Sequence, residues 1–469
     1  MKSEKNKLSL AVLAASMCLC SGSALATNGY FTHGVGTESK GMAGTGIGSN
    51  AANGPIIAAS NPALAVFAED GWQAGLSIFS PIRDYKASSS LVNGNFGAFT
   101  IGEGSFDSSS ETFPIPFVAK NWRLKSGNVI STSFYGRGGM NTDWDNPDAS
   151  ATSLACDPFG QTVTMDQGTF CDGHAGVDLS QAFLSIIYSA KVSESFTWGL
   201  GPVLAVQAFE ATGVGSFQGF TKTFADCFIL QPPGSCNPIP TSLSDNGHEI
   251  STGFGFAGGV WFAISDSVSA GLSYQSKLSM SEFDDYADLF AENGGFDIPA
   301  SAKFGLSFEG SNNARLNLDI EHTEYNDVDS VGNPLANIIG CPTAQLGGTD
   351  FESCLGGKNG AGFGWEDMTT YKIGMEWTES ETYTWRAGLS YGEQPIQSAD
   401  LLFNILAPGV MEQHFTVGMT KNKPGGGAWS FSFMYATSKT VKGLNMFDPT
   451  QTLEIKMKQY EFEFSYLWK

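Results

Sequence analysis

The sequence predicts an all-β protein, a transmembrane antiparallel β-barrel of about fourteen strands with an N-terminal plug inside its lumen. Three observations carry this. Stretches of about ten residues with strict apolar/polar alternation recur to the C-terminus, aromatic residues crowd the apolar faces at strand ends, and short and long connections take turns along the chain. A soluble sandwich would alternate as well. It has no need of an aromatic girdle, nor of an opposite face carrying Gly, Ser and charges as a water-filled lumen does.

Residues 1–26 read as a secretory signal. Lys2, Lys5 and Lys7 form a basic front, Leu8–Cys20 is a mostly apolar run too short to span a membrane, and Ala24-Leu25-Ala26 is a small-x-small cleavage site. Neither Cys18 nor Cys20 follows a small residue, so cleavage is expected rather than lipidation. The chain carries a formal charge of −22, and loss of the basic front makes it more negative still. Phosphate backbones demand the opposite sign, so nucleic acid is excluded as a partner. Acidic loops facing an outer leaflet of lipopolysaccharide and lipid, with divalent cations bridging the phosphates, suit the same balance.

Residues 27–70 behave differently from everything after them. Eight glycines fall between Gly29 and Gly54, with neither sustained alternation nor a helical stripe. A segment without regular structure placed ahead of a barrel pattern is read as a plug, and residues 71–469 as the barrel with long outer loops.

Fourteen strands are expected near 72–82, 113–122, 128–137, 180–191, 195–209, 250–264, 267–279, 299–310, 313–323, 368–379, 382–393, 412–422, 427–439 and 453–468. Trp429, Phe431, Phe433 and Tyr435 show the period most clearly, as do Tyr460, Phe462, Phe464, Tyr466 and Trp468. Connections after the odd-numbered strands, the thirteenth included, are expected to be long and external; the others are short periplasmic turns.

Six cysteines fall in three close pairs within these long connections: Cys156 and Cys171, Cys227 and Cys236, Cys341 and Cys354. No pair has the spacing of a metal knuckle, and in an exported protein the pairs read as local disulfides. No metal or cofactor is expected. In the loop at 281–295, Ser281 as a cap and Phe283, Tyr286, Ala287 and Phe290 on one face predict a helix ended by Gly294-Gly295. The loop at 209–247 carries an apolar cluster of Phe217, Phe220, Phe224, Phe228, Ile229 and Leu230, the mark of a contact or binding surface unless the two loops merely pack on each other.

The start NGYFTHGVGTESKGMAGTGIGS with SNPAL resembles the N-terminal hatch of the FadL/TodX-type transporters of hydrophobic compounds in Gram-negative outer membranes. The blocks MTTYKIGMEWTESETYTWRAGLSYGEQPI and LAPGVMEQHFTVGMTK extend the resemblance through the mature chain. It implies a monomeric, multi-pass outer-membrane channel without catalytic residues. The substrate implied is a hydrophobic small molecule, long-chain fatty acids first and aromatic hydrocarbons as the alternative. Outer loops would capture it, an inner pocket would bind it, and it would leave sideways beside a kinked third strand. Asn61, Pro62 and Ala63 match the hatch motif and would gate. Gly136, Arg137, Gly138 and Gly139, expected to end the third strand, would form the lateral opening. The chain departs from the family in its final residue, Lys469, which leaves Trp468 as the assembly signal, and in its cysteines.

If aromatics face lipid, Lys303, Arg315, Lys372 and Arg386 point into the lumen from four consecutive strands and could hold a substrate carboxylate, Arg386 foremost. Phe224, Phe228, Phe283 and Phe290 would hold its tail. Asp319, Glu321, Glu376, Glu461 and Glu463 face the same way and could neutralise those cations. Gly44–Gly48 lacks the strand and the Lys of a phosphate loop, and the acidic run Asp143–Asp148 lacks the glycine and terminal Glu of a calcium loop. A lipid hydrolase built on His414 is the alternative from another class.

Overall fold

A computed structural model describes residues 28–51, 54–146, 148–157, 162–310, 313–344 and 346–469, so the expected signal lies outside the described residues. Fourteen strands close into an antiparallel barrel. They are β1 Gly71–Ala87, β2 Phe113–Arg123, β3 Val129–Trp144, β4 Ala175–Ser193, β5 Phe196–Thr212, β6 Glu249–Ser265, β7 Val268–Gln275, β8 Ser301–Glu309, β9 Ala314–Thr323, β10 Met368–Thr378, β11 Tyr383–Gly392, β12 Gln413–Asn422, β13 Ala428–Asn445 and β14 Asp448–Trp468. Each pairs with its sequence neighbours, and β14 closes on β1 from Trp72↔Trp468 to Ala87↔Leu453. Closure pairs the first and last strands, so the sheet has no free outer edge strand.

Alternation builds the two faces. On β14, Gln459, Glu461, Glu463 and Ser465 are buried, while Tyr460, Phe462 and Trp468 between and beyond them are exposed. Trp72, Leu76, Tyr371, Trp385 and Tyr391 continue the exposed apolar belt on other strands. The inward face also changes along each strand. β14 turns from Glu463, Glu461 and Gln459 near its end to Met457, Ile455 and Leu453 higher up, and β1 turns from Gln73 and Ser77 to Phe79 and Tyr85. The periplasmic half of the lumen is therefore polar and the outer half apolar.

Three expectations need correction. The connection after the thirteenth strand is a tight turn at Met446-Phe447, because β13 and β14 continue pairing above the membrane, with a register shift between Ala436 and Lys439. The helix expected at 281–295 is one 3₁₀ turn at Asp284–Tyr286 and a kinked turn at Ala291–Gly294, in which Glu292 and Asn293 take positive φ. Ser281 caps nothing there; its hydroxyl oxygen accepts from the Thr252 amide. The glycines Gly136–Gly139 do not end the third strand, which runs on to Trp144. They form a bulge within it, with a register shift against β4 between Gly136 and Gly138.

The cysteines join within loops as Cys156–Cys171, Cys227–Cys236 and Cys341–Cys354.

Candidate functional site

Residues 28–51 and 54–68 pack against the inward face of the barrel, almost wholly buried, with short turns at Thr37–Lys40, Pro55–Ala59 and Pro62–Val66. Glycine on the barrel wall lets this backbone approach. A Cβ at Gly388 would lie 2.3 Å from the Met42 carbonyl carbon, and one at Gly199 would lie 2.3 Å from the Pro62 oxygen.

Charge then fixes the hatch in place. Lys40 donates to Glu461 at 2.5 Å and Glu463 at 2.6 Å on β14. Asp319 on β9 accepts from the amides of Gly46 and Ile47 at 2.8 and 3.1 Å, and Lys372 on β10 donates to the His33 carbonyl at 2.8 Å. Asn61 accepts from the Ala63 amide, starting the turn that Pro62 opens, and donates to the carbonyls of Ile47 and, on β6, Val260. Ala63 packs with Leu64 against Trp261. Asn61, Pro62 and Ala63 thus join the N-terminal segment to the wall at β6.

The four basic residues proposed for a carboxylate ligand do face inward, and each is held by a carboxylate of the barrel. Glu321 gathers Lys372 at 2.6 Å, Lys303 at 2.9 Å and Arg137 at 3.3 Å. Glu376 takes Arg386 at 3.2 Å and Arg315 at 3.4 Å. Cross-strand register brings these partners together, since Lys303 faces Glu321 and Glu376 faces Arg386.

The second and third strands are paired over only part of their length. β2 and β3 pair only from Arg123↔Val129 to Phe117↔Tyr135. Beyond that, Phe113–Pro116 keep β1 as their partner and Gly138–Trp144 keep β4. The chain's own N-terminal segment fills the inner side of this gap. The Thr32 amide donates to the Arg137 carbonyl at 2.9 Å, the Gly139 amide donates to the Tyr30 carbonyl at 3.1 Å, and the Arg137 guanidinium lies 4.3 Å from the Phe31 ring. A Cβ on Gly138 would meet the Gln181 amide oxygen at 1.9 Å and the Phe31 ring at 3.3 Å, so a side chain there would displace the flexible end of Gln181 and leave the backbone in place. At its outer end the gap is bridged by Ser109, whose amide donates to the Asp143 carbonyl at 2.8 Å, while His174 contacts the Asp143 carboxylate at 2.6 Å.

Above the hatch lies a small apolar pocket with about 30 Å³ of free space, lined chiefly by Phe209, Phe217, Phe290, Phe363, Phe403 and Leu406. Of the four phenylalanines expected to hold a substrate tail, Phe290 lines it and Phe283 packs behind, 5.5 Å from the Phe209 ring. Phe224 and Phe228 stack on each other at 5.5 Å in the loop closed by Cys227–Cys236, with Phe228 67% exposed, and they do not line the cavity. Phe217, expected within the apolar cluster of the loop at 209–247, lines it too, whereas Phe209 and Phe403 escaped the sequence reading. The run LLFNILAP around Phe403 was the available signal. His414 Nδ1 lies 2.9 Å from Ser390 Oγ, but the two are buried where the wall meets the hatch and His414 stacks on His33 at 6.0 Å.

Comparison with known proteins agrees with this geometry. The profile of the outer membrane protein transport family OMPP1/FadL/TodX matches residues 17–445. The Pseudomonas putida toluene transporter TodX superposes with a TM-score of 0.60 at 16% identity, covering 93% of this chain and 99% of that one. A Pseudomonas aeruginosa FadL homologue gives 0.59 at 16% identity over 94% and 99%, and the Ralstonia pickettii toluene transporter TbuX 0.55 at 16% over 93% and 99%. No curated protein matches the chain. With its closed fourteen-stranded barrel, its aromatic belt and a family match over most of its length, the chain belongs to the OMPP1/FadL/TodX family of outer-membrane transporters of hydrophobic compounds, in the outer membrane of a Gram-negative bacterium.

Proposed function

We propose that the protein is a passive channel for hydrophobic molecules, long-chain fatty acids foremost, that captures them in the outer apolar cavity and releases them sideways between β2 and β3. One observation carries the reading: where β2 leaves β3 unpaired, the wall is closed from inside by residues 30–32 of the hatch and not by barrel strands. A segment held by two backbone hydrogen bonds can be displaced without breaking the barrel. The driving force is partition, about 0.8 kcal/mol for each CH₂ transferred from water to an apolar site. The phenyl-lined cavity suits a neutral aromatic hydrocarbon as well as an acyl chain, so both are tested together.

The partners in the Phe31–Gly138 bridge provide the test. In Phe31→Cys/Gly138→Cys, oxidation should abolish uptake of labelled oleate and toluene, and reduction should restore it, with the wild type unaffected by either treatment. Unchanged uptake by the cross-linked protein would rule out lateral release at this gap. Hydrolysis of a lipid ester that disappears in His414→Ala would instead favour an enzyme.

A further inference from the structure

The lumenal cations described above each have a carboxylate within 4.0 Å, and one further buried cation does not. Arg83 lies on the inward face of β1, 2% exposed, between Phe79 and Tyr85 and opposite Met457 on β14. Among the described residues no carboxylate oxygen comes within 4.0 Å of its guanidinium. Nη1 donates to the Ser110 carbonyl at 2.8 Å, and the group lies 5.9 Å from the centre of the Phe113 ring. The adjacent Glu111 is exposed on the loop. Glu111 acts on the guanidinium only through space, and a guanidinium buried among aromatic rings without a directly paired counter-ion is expensive; for packing alone a methionine would serve better.

Its position gives that cost a purpose. Phe113 is the first residue of the β2 stretch that β3 leaves unpaired. Ser108–Ser110 cross the outer end of the gap: the Ser108 amide donates to the Arg83 carbonyl at 3.0 Å and Ser109 binds Asp143 of β3. Arg83 therefore stands at the head of the lateral gap, in the apolar half of the lumen, with a planar fork of donors suited to a carboxylate.

We propose that Arg83 is an anion subsite that holds the carboxylate of an amphiphile while its tail lies among Phe79, Tyr85 and Phe113 on the way into the gap. The proposal rests on the lateral-release reading and narrows it to substrates with an acidic head group. A carboxylate arriving there competes with the Ser110 carbonyl for the guanidinium and so loosens the bridge at the outer end of the gap.

The experiment measures binding of oleate, methyl oleate and toluene to the purified full-length protein, with the melting temperature of each variant. Arg83→Gln and Arg83→Met should weaken oleate binding by about tenfold or more, as expected for loss of a charge-assisted hydrogen bond, and leave methyl oleate and toluene unchanged. Arg83→Lys should keep much of the oleate affinity. Arg83→Met should melt at the wild-type temperature or above, because it removes an uncompensated charge. Equal weakening of all three ligands, or a lower melting temperature with oleate binding intact, would make Arg83 a structural pin and overturn the proposal. Wild-type protein that binds none of the three would instead defeat the transport reading, whatever Arg83 does.

Discussion

The two halves of the lumen are built from the same strands and do opposite things. In the periplasmic half, inward positions carry Glu461, Glu463, Asp319 and Lys372, which fix Lys40, Gly46, Ile47 and His33 of the hatch by ion pairs and directed hydrogen bonds, beside apolar contacts such as Leu64 on Trp261. In the outer half the same inward positions carry Leu453, Ile455, Phe79 and Tyr85, and the contacts are among rings. Hydrogen bonds and ion pairs have one correct register, so they suit a plug that must seat in a single place. Apolar packing is non-directional, so it suits a space that must accept a guest. Polarity along a strand thus separates holding the hatch from holding the substrate.

Breaking the polar half should have the largest effect. Lys40→Met leaves Glu461 and Glu463 buried beside each other without their cation, a loss of about 3–5 kcal/mol. The hatch should come loose, seen as a lower melting temperature and as leakage of small sugars from reconstituted vesicles. Sugar-tight vesicles would show that the hatch is held chiefly by its backbone contacts. A milder break is Gly388→Ala, whose methyl would overlap the backbone at Met42 and should cost about 1–3 kcal/mol through strain, again read from melting and leakage.

The smallest effect lies in the outer loops, where the comparison can be sharpened rather than broken. His248 sits between Asp178 at 3.2 Å and Glu210 at 3.0 Å, and the hydrogen bond to Asp178 raises its pKa above 6.5. The protonated imidazole therefore adds stability in full below pH 6.5, and that contribution fades as pH rises through the elevated folded value. The site is half exposed, so the effect should stay below about 1 kcal/mol. Limited proteolysis of the loop at 213–248 should be faster at pH 9 than at pH 6 in the wild type, and the difference should shrink in His248→Gln.

The strands were legible in the sequence because each carries its own alternation, and a period of two survives without knowledge of any neighbour. The close cysteine pairs were legible for a similar reason, being local. What escaped depended on partners far along the chain. The inward direction of Lys303, Arg315, Lys372 and Arg386 could be read from the pattern. That Glu321 gathers two of them together with Arg137 could not, because it requires the register of β8, β9 and β10 and the path of β3. Arg83 fell just beyond the strand expected at 72–82, and its isolation is a property of surroundings that no local pattern carries. The turn at 281–295 was mistaken for a helix because Phe283, Tyr286 and Phe290 do share a side, but they do so by packing around Phe209 rather than by helical spacing.

The hatch begins near the outer loops. The Asn28 carbonyl accepts from the Tyr325 hydroxyl, Tyr30 lies 5.8 Å from Trp365, and the segment then descends to the periplasmic rim where β1 starts. A label attached at Asn28 would crowd the buried rings of Tyr30, Tyr325 and Trp365, whereas Lys469 is exposed at the end of β14. Labels meant to report hatch movement therefore belong inside the segment, and handles for purification belong at the other end of the chain.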